Sequence, residues 1–295
     1  MGNKLFALLT ILVMAVSLIV GFQTVPKKTE AAAQEINPRY AKANINRGNT
    51  YYNKGQYDLA IADFNKALEI NPKLAGEAYY NRGRTYYTKG QYDLAIADFN
   101  KALEINPRDA EAYYNRGRTY YTKGQYDQAI ADFNKALEIN PRHADAYYNR
   151  GNTYFNKGQY DLAIADFNKA LEINPRHAEA YYNRGIVYRN KGQYDQAIAD
   201  YNKALEINPK LAEAYNNRGN AYFSKGKFDQ AIADFNKALE INPRYAEAYY
   251  NRGNVYYLKK EYDKSWENVK KAQELGYKIP SNFLEDLRKA SGKER

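Results

Sequence analysis

The chain has 295 residues, a net charge of +10 and a 44% hydrophobic composition, with 32 tyrosines against one tryptophan. It has no cysteine, which excludes disulfides, thiolate chemistry and cysteine-held metal. Its two histidines, His143 and His177, are too few to complete a histidine metal site, and both read as exposed turn residues.

Residues 1–33 form the first segment. Within it, residues 5–22 are uncharged and mostly apolar, directly after Lys4. Such a run is near the lower limit for crossing a bilayer and longer than an ordinary signal-peptide core. Two readings stay open: a retained membrane anchor, or a secretory signal cleaved near Ala31-Ala32-Ala33. Either puts the chain at a membrane or in the cell envelope. The side is unsettled, because Lys27 and Lys28 on the far flank oppose simple export. Residues 34–40 then serve as a linker or a repeat remnant, since EINPRY at 35–40 matches 240–245 letter for letter. Ordered structure is expected to begin near Pro38–Ala41.

From Ala41 onward one unit is written seven times, over 41–74, 76–109, 110–143, 144–177, 178–211, 212–245 and 246–279. A period of this length is the mark of a repeat array. The third copy shows the pattern. Its first half carries Ala112, Tyr113, Gly117, Tyr120 and Tyr121 at helical spacing, and its second carries Tyr126, Ala129, Ile130, Phe133, Ala136 and Leu137. Lys123-Gly124-Gln125 separates the halves, and Asn140-Pro141 ends the second helix by removing an amide donor. Each unit is therefore a helical hairpin too small to enclose a core, stable only when stacked on its neighbours. Gly117 and its equivalents sit inside the first helix, where glycine costs about 1 kcal/mol against alanine. Helices that approach too closely for a side chain explain that cost.

Counted from the first residue of each copy, Tyr113, Gly117, Tyr120, Ala129, Phe133, Ala136 and Pro141 fall where the tetratricopeptide repeat family keeps its signature residues. The resemblance covers residues 41–279 and implies an all-α, right-handed superhelical solenoid of antiparallel helix pairs. Position 7 departs from the family's leucine: it is arginine in all seven copies, from Arg47 to Arg252. The position-23 aspartates, such as Asp132, are its expected partners, with Asn268 standing there in the last copy. The seventh copy drifts further, with Lys260 at the turn glycine, Ser265 at an alanine position, and Trp266 and Val269 in the packing. Residues 280–295 hold a capping helix and tail. Asn282 and Glu285 have capping-box spacing, and Phe283, Leu284 and Leu287 are expected to meet the last hairpin.

The resemblance further implies that the first helices line a concave groove. Position 6 is always asparagine: Asn46, Asn81, Asn115, Asn149, Asn183, Asn217 and Asn251. A primary amide offers both donor and acceptor, so a row of them suits an extended peptide backbone of any sequence. Bridging between neighbouring helices is the alternative role. Position 5 supplies Tyr80, Tyr114, Tyr148, Tyr182 and Tyr250, interrupted by Ile45 and Asn216. Position 9 varies through Asn49, Arg84, Arg118, Asn152, Ile186, Asn220 and Asn254, and Arg189 stands at position 12. Arg84, Arg118 and Arg189 are candidates to select an acidic group on the ligand. The carboxylate clamp with which some family members hold chaperone tails is incomplete here, because position 6 is never basic.

No phosphate loop, nucleophile elbow or metal-ligand cluster appears, so neither an enzyme nor a cofactor is expected. The expected role is a protein-interaction scaffold holding a peptide or partner protein, tethered to a membrane through residues 5–22. Two other classes compete. RNA binding draws on the positive net charge, but acids at position 2 would repel phosphates. End-to-end self-assembly is opposed by the drifted last repeat.

Overall fold

The computed structural model describes residues 27–70 and 75–292. Among them there are fifteen α-helices and no strands. Two compact units divide the chain between Arg108 and Asp109.

The first unit contains α1 (Lys27–Asn53), α2 (Tyr57–Ile70), α3 (Ala75–Thr88) and α4 (Tyr92–Ile105). α1 packs on α2 and α3 on α4, and α2 joins the two hairpins through α3. Ala41, Ile45, Ala60, Phe64, Ala67 and Ala78 form its buried cluster. α1 starts well upstream of the expected Pro38–Ala41 boundary and continues through Pro38, across the stretch read as a linker.

The second unit contains five hairpins and a closing helix. They are α5 (Ala110–Thr122) with α6 (Tyr126–Ile139), α7 (Ala144–Asn156) with α8 (Tyr160–Ile173), and α9 (Ala178–Asn190) with α10 (Tyr194–Ile207). α11 (Ala212–Ser224) with α12 (Phe228–Ile241), α13 (Ala246–Leu258) with α14 (Tyr262–Glu274), and α15 (Ser281–Ser291) complete it. Each second helix packs on the first helix of the next hairpin, and successive first helices also touch. These are the neighbour contacts of an all-α solenoid.

The turn between paired helices is set by glycine. Gly124 has φ +74°, and the amide of Gln125 donates to the carbonyl of Tyr120 at 2.9 Å, closing α5 with a left-handed residue. Lys260 takes that conformation at φ +61° in the last hairpin, although it carries a Cβ. At the other end of the unit, Asn140 is extended at φ −126°, as the residue before proline must be, and its side chain accepts from the amide of Arg142 at 3.1 Å.

Close helix approach accounts for the glycine inside the first helix. A Cβ on Gly117 would stand 2.9 Å from Cε1 of Phe133, a ring that is fully buried along with Ala129 and Ala136. Across the pair, Arg116 grips Asp132 with two bonds of 2.7 and 2.6 Å. The same fork recurs at Arg150–Asp166, Arg184–Asp200 and Arg218–Asp234, while Arg252 donates to Asn268 at 2.8 Å. Burial pushes the Asp132, Asp166, Asp200 and Asp234 carboxyls up, and the facing guanidinium pulls them back only in part. The third nitrogen of the fork reaches backward: Arg150 donates to Asn134 and Arg218 to Asn202, each at 2.5 Å. One arginine thereby ties three helices, a link to position 25 that the sequence did not announce.

Two further expectations are corrected. The membrane placement is the first. The segment behind it, residues 5–22, lies outside the described residues, and among the described residues no helix is long and apolar enough to cross a membrane. α1 has the length, but charged and polar residues recur along it. The second concerns the final helix. It begins at Ser281 behind Pro280, so Asn282 lies inside the helix and makes no capping box. Its packing is as anticipated: Leu287 is fully buried and Phe283 nearly so, against Val269, Tyr250, Tyr257 and Trp266.

Candidate functional site: the face of the first helices

In the second unit, side chains at positions 5 and 6 link one first helix to the next. The Nδ2 of Asn149 donates to the hydroxyl of Tyr114 at 3.1 Å. Asn183 donates in the same way to Tyr148 at 3.0 Å and Asn217 to Tyr182 at 2.8 Å. Asn251 continues the row by donating to Oδ1 of Asn216 at 3.0 Å. The spacing between partners is 35 residues, one repeat plus one, so the polar row is continuous along the stacked first helices.

These bonds fix how each amide points. Nδ2 of Asn149 also meets the carbonyl of Asp145 at 2.8 Å, and Nδ2 of Asn115 meets that of Glu111 at 2.8 Å. A carbonyl accepts only, so the group facing it must be the NH2. Both hydrogens of Asn149 are thus spent inside the protein, and so are those of Asn183, which also reaches Oδ1 of Asn152 at 2.8 Å. The amides are half-buried and are engaged as bridges, while their oxygens are turned the other way.

The tyrosines of position 5 are wedged rather than open. Tyr114 lies 6.1 Å from Phe133 and 4.6 Å from His143, and Tyr148 is placed likewise against Phe167 and His177. Tyr182 packs on Tyr201 at 6.0 Å, and Tyr250 stacks on Tyr277 at 5.0 Å beneath the closing helix. Burial pushes the Tyr148 and Tyr182 phenols up, with Glu179 and Glu213 adding to it. The histidines are not exposed turn residues: their side chains are 10% and 12% exposed. His177 spans two repeats, with Nδ1 3.1 Å from Glu179 and Nε2 3.7 Å from Asp145.

Of the arginines, Arg118 lies over the Tyr114 ring at 5.7 Å, and Arg189 donates to Oδ1 of Asn217 at 2.8 Å. Asn220 and Asn254 are half-buried at position 9. In the first unit, Asn46 is exposed, whereas Asn81 is buried and donates to the carbonyl of Glu77 at 3.0 Å. Tyr80 packs on Phe99, and Arg84 lies over Tyr52 at 5.0 Å and Tyr80 at 5.7 Å. Asn49 is half-buried.

One feature was invisible at the level of the pattern. Tyr201 stands where five other repeats have phenylalanine, and its hydroxyl is buried without a hydrogen-bond partner.

Family models described as "TPR repeat" match residues 83–124, 117–158, 187–226 and 219–260. Models described as "Tetratricopeptide repeat" match 41–74, 64–97, 144–177, 167–199 and 246–275. No curated protein matches the chain. Among solved structures, MamA is 34% identical over 59% of this chain and 95% of its own, with a TM-score of 0.54. YrrB, described as a TPR protein with an unusual peptide-binding site, is 30% identical over 66% of this chain and 98% of its own, with a TM-score of 0.55. A tetratricopeptide repeat protein from Parabacteroides merdae is 26% identical, covering 86% of this chain and 100% of its own, with a TM-score of 0.62. With these matches running from residue 41 to residue 275, the chain belongs to the tetratricopeptide repeat family.

Proposed function

We propose that the chain is a non-enzymatic interaction scaffold that holds an extended segment of a partner protein along the first-helix face of its second unit. The observation that carries this reading is the continuous position-5/position-6 row of the second unit, in which each amide is tied to the position-5 side chain of the repeat before it, a tyrosine except at Asn216. YrrB, with its peptide-binding site, lends support from a related fold. The asparagine row is the proposed contact, through Oδ1 as an acceptor of peptide N–H groups, since the Nδ2 donors of Asn149 and Asn183 are occupied.

An array of random extended peptides, screened with the full chain, tests this. Binders should lose at least about tenfold in affinity when Asn115, Asn149 and Asn183 are together changed to alanine. Each change also removes an internal bond worth about 1 kcal/mol, so a modest fall in melting temperature is expected. Unchanged affinity in a folded triple variant would refute the row as the contact.

A further inference from the structure

The whole chain carries +10, yet the proposed binding face of the second unit is acidic. Glu111, Asp145, Glu179, Glu213 and Glu247 occupy position 2 of the five first helices, and all five are exposed. Against them the helices carry Arg118 and Arg189, the latter already bonded to Asn217, while the exposed cations Arg108, Arg142, Arg176, Lys210 and Arg244 lie in the turns three residues ahead of the acids. The position-7 arginines do not offset the acids, because they are turned toward the second helices and paired there with position-23 aspartates. The turn lysines are likewise spent, as Lys157 is on Asp127 and Lys225 on Asp195.

Hydrogen-bond polarity runs the same way. Filled Nδ2 donors leave the amide oxygens of Asn149 and Asn183, so the row adds acceptors to the carboxylates there, whereas the oxygen of Asn217 accepts from Arg189. His143 sits in the same row. Its side chain is nine-tenths buried, and Nε2 has no hydrogen-bond partner although it is aimed into the acid row, 3.3 Å from Oε1 of Glu111. The chain also shows how a cation sits on this surface, with the guanidinium of Arg118 over the ring of Tyr114. One repeat later the corresponding residue is Asn152, and Tyr148 packs on His177, which bridges Asp145 and Glu179.

We infer that the first-helix face of residues 109–295 takes an extended segment rich in lysine and arginine, whose side-chain cations meet the position-2 carboxylates and whose N–H groups meet the asparagine oxygens. This rests on the peptide-binding reading above and names the class of partner. A strongly basic protein repels a basic peptide unless the contact surface is locally acidic, so the preference itself is diagnostic.

The test is fluorescence anisotropy on the full chain at low salt, with labelled lysine-serine, glutamate-serine and glutamine-serine repeat peptides of equal length. The lysine probe should bind tightest. Combining Asp145→Asn, Glu179→Gln and Glu213→Gln should weaken it about tenfold and leave the glutamine probe unchanged. Glu138→Gln, Glu172→Gln and Glu206→Gln together, on the second helices, should leave the lysine probe unaffected. The inference is overturned if the glutamate probe binds as well as the lysine probe, or if both triple variants weaken the lysine probe equally. In either case the peptide-binding reading survives, because some probe still binds. If no probe binds, that reading falls as well.

Discussion

Replacing Tyr201 by phenylalanine should stabilise the protein. Phe64, Phe99, Phe133, Phe167 and Phe235 fill the equivalent site, each fully buried, so the pocket is already shaped for a ring without a hydroxyl. The ring of Tyr201 sits as theirs do, with Cε1 2.7 Å from where a Cβ on Gly185 would stand, against 2.9 Å for Phe133 at Gly117. No void therefore opens on removing the oxygen. What is removed is a buried hydroxyl without a partner, which costs about 1–3 kcal/mol. Tyr201→Phe should gain about 1 kcal/mol or more, a rise of about 2–4 °C in melting temperature for a chain of this size. Guanidinium melts followed by circular dichroism measure it, and the reverse change Phe167→Tyr should lose a similar amount. There is also a pH signature. Burial pushes the Tyr201 phenol above its ordinary value of 10.0. A raised folded pKa gives stability that is present below the unfolded value and lost as pH rises through the folded one. Stability should therefore fall less steeply above about pH 10 in the phenylalanine variant. If Tyr201→Phe instead destabilises by 1 kcal/mol or so, the hydroxyl has a partner and the reasoning is wrong.

Two further substitutions probe the backbone. Lys260→Gly should stabilise by about 0.5–1 kcal/mol in the same melts, since Lys260 holds φ +61° where six other turns have glycine at φ +70° to +74°. Gly151→Ala sets a helix gain of about 1 kcal/mol against an overpacking cost of about 1–3 kcal/mol, because the new Cβ would stand 2.9 Å from Phe167 and 3.3 Å from the Ala163 carbonyl. A net loss in denaturation midpoint is expected; a gain would mean that the helices can separate at little cost.

The repeat made most of the fold readable. Hairpin boundaries follow from Gly124 and Pro141 equivalents, because one residue needs a left-handed backbone and the other forbids a helical neighbour. The Arg116–Asp132 pair was legible too, since identical spacing in six copies left few other partners for a buried guanidinium. Three things were not. Nothing local indicates that α1 runs on through Pro38, because the same Asn-Pro dipeptide ends helices elsewhere in the chain. The burial of His143 and His177 depends on the tyrosine ring of the same repeat folding back over the turn, a tertiary contact without a sequence period. The direction of each asparagine amide depends on a phenol one repeat away, and a spacing of 35 residues stands out only when the stacking is known.

The sixth repeat shows what this face requires. Asn216 replaces the position-5 tyrosine there, and at the end of that repeat Tyr245 replaces the histidine found in the third and fourth. The aromatic ring has moved from helix to turn: Tyr245, with Tyr215 and Tyr249, packs against Ala238, Leu239 and Ala248, and Nδ2 of Asn216 donates to Oε1 of Glu247 at 3.3 Å. The row survives the exchange, because Asn251 donates to Oδ1 of Asn216 at 3.0 Å where its counterparts donate to a phenol. In these repeats of the second unit position 5 offers an acceptor to the next amide, whatever group supplies it, and that bond orients the amides of Asn149, Asn183, Asn217 and Asn251 alike. Had packing alone selected tyrosine, a smaller amide at Asn216 would break the series. Here the ring is re-supplied from the turn and the acceptor is kept on the helix, so the two duties of that tyrosine separate cleanly in a single repeat.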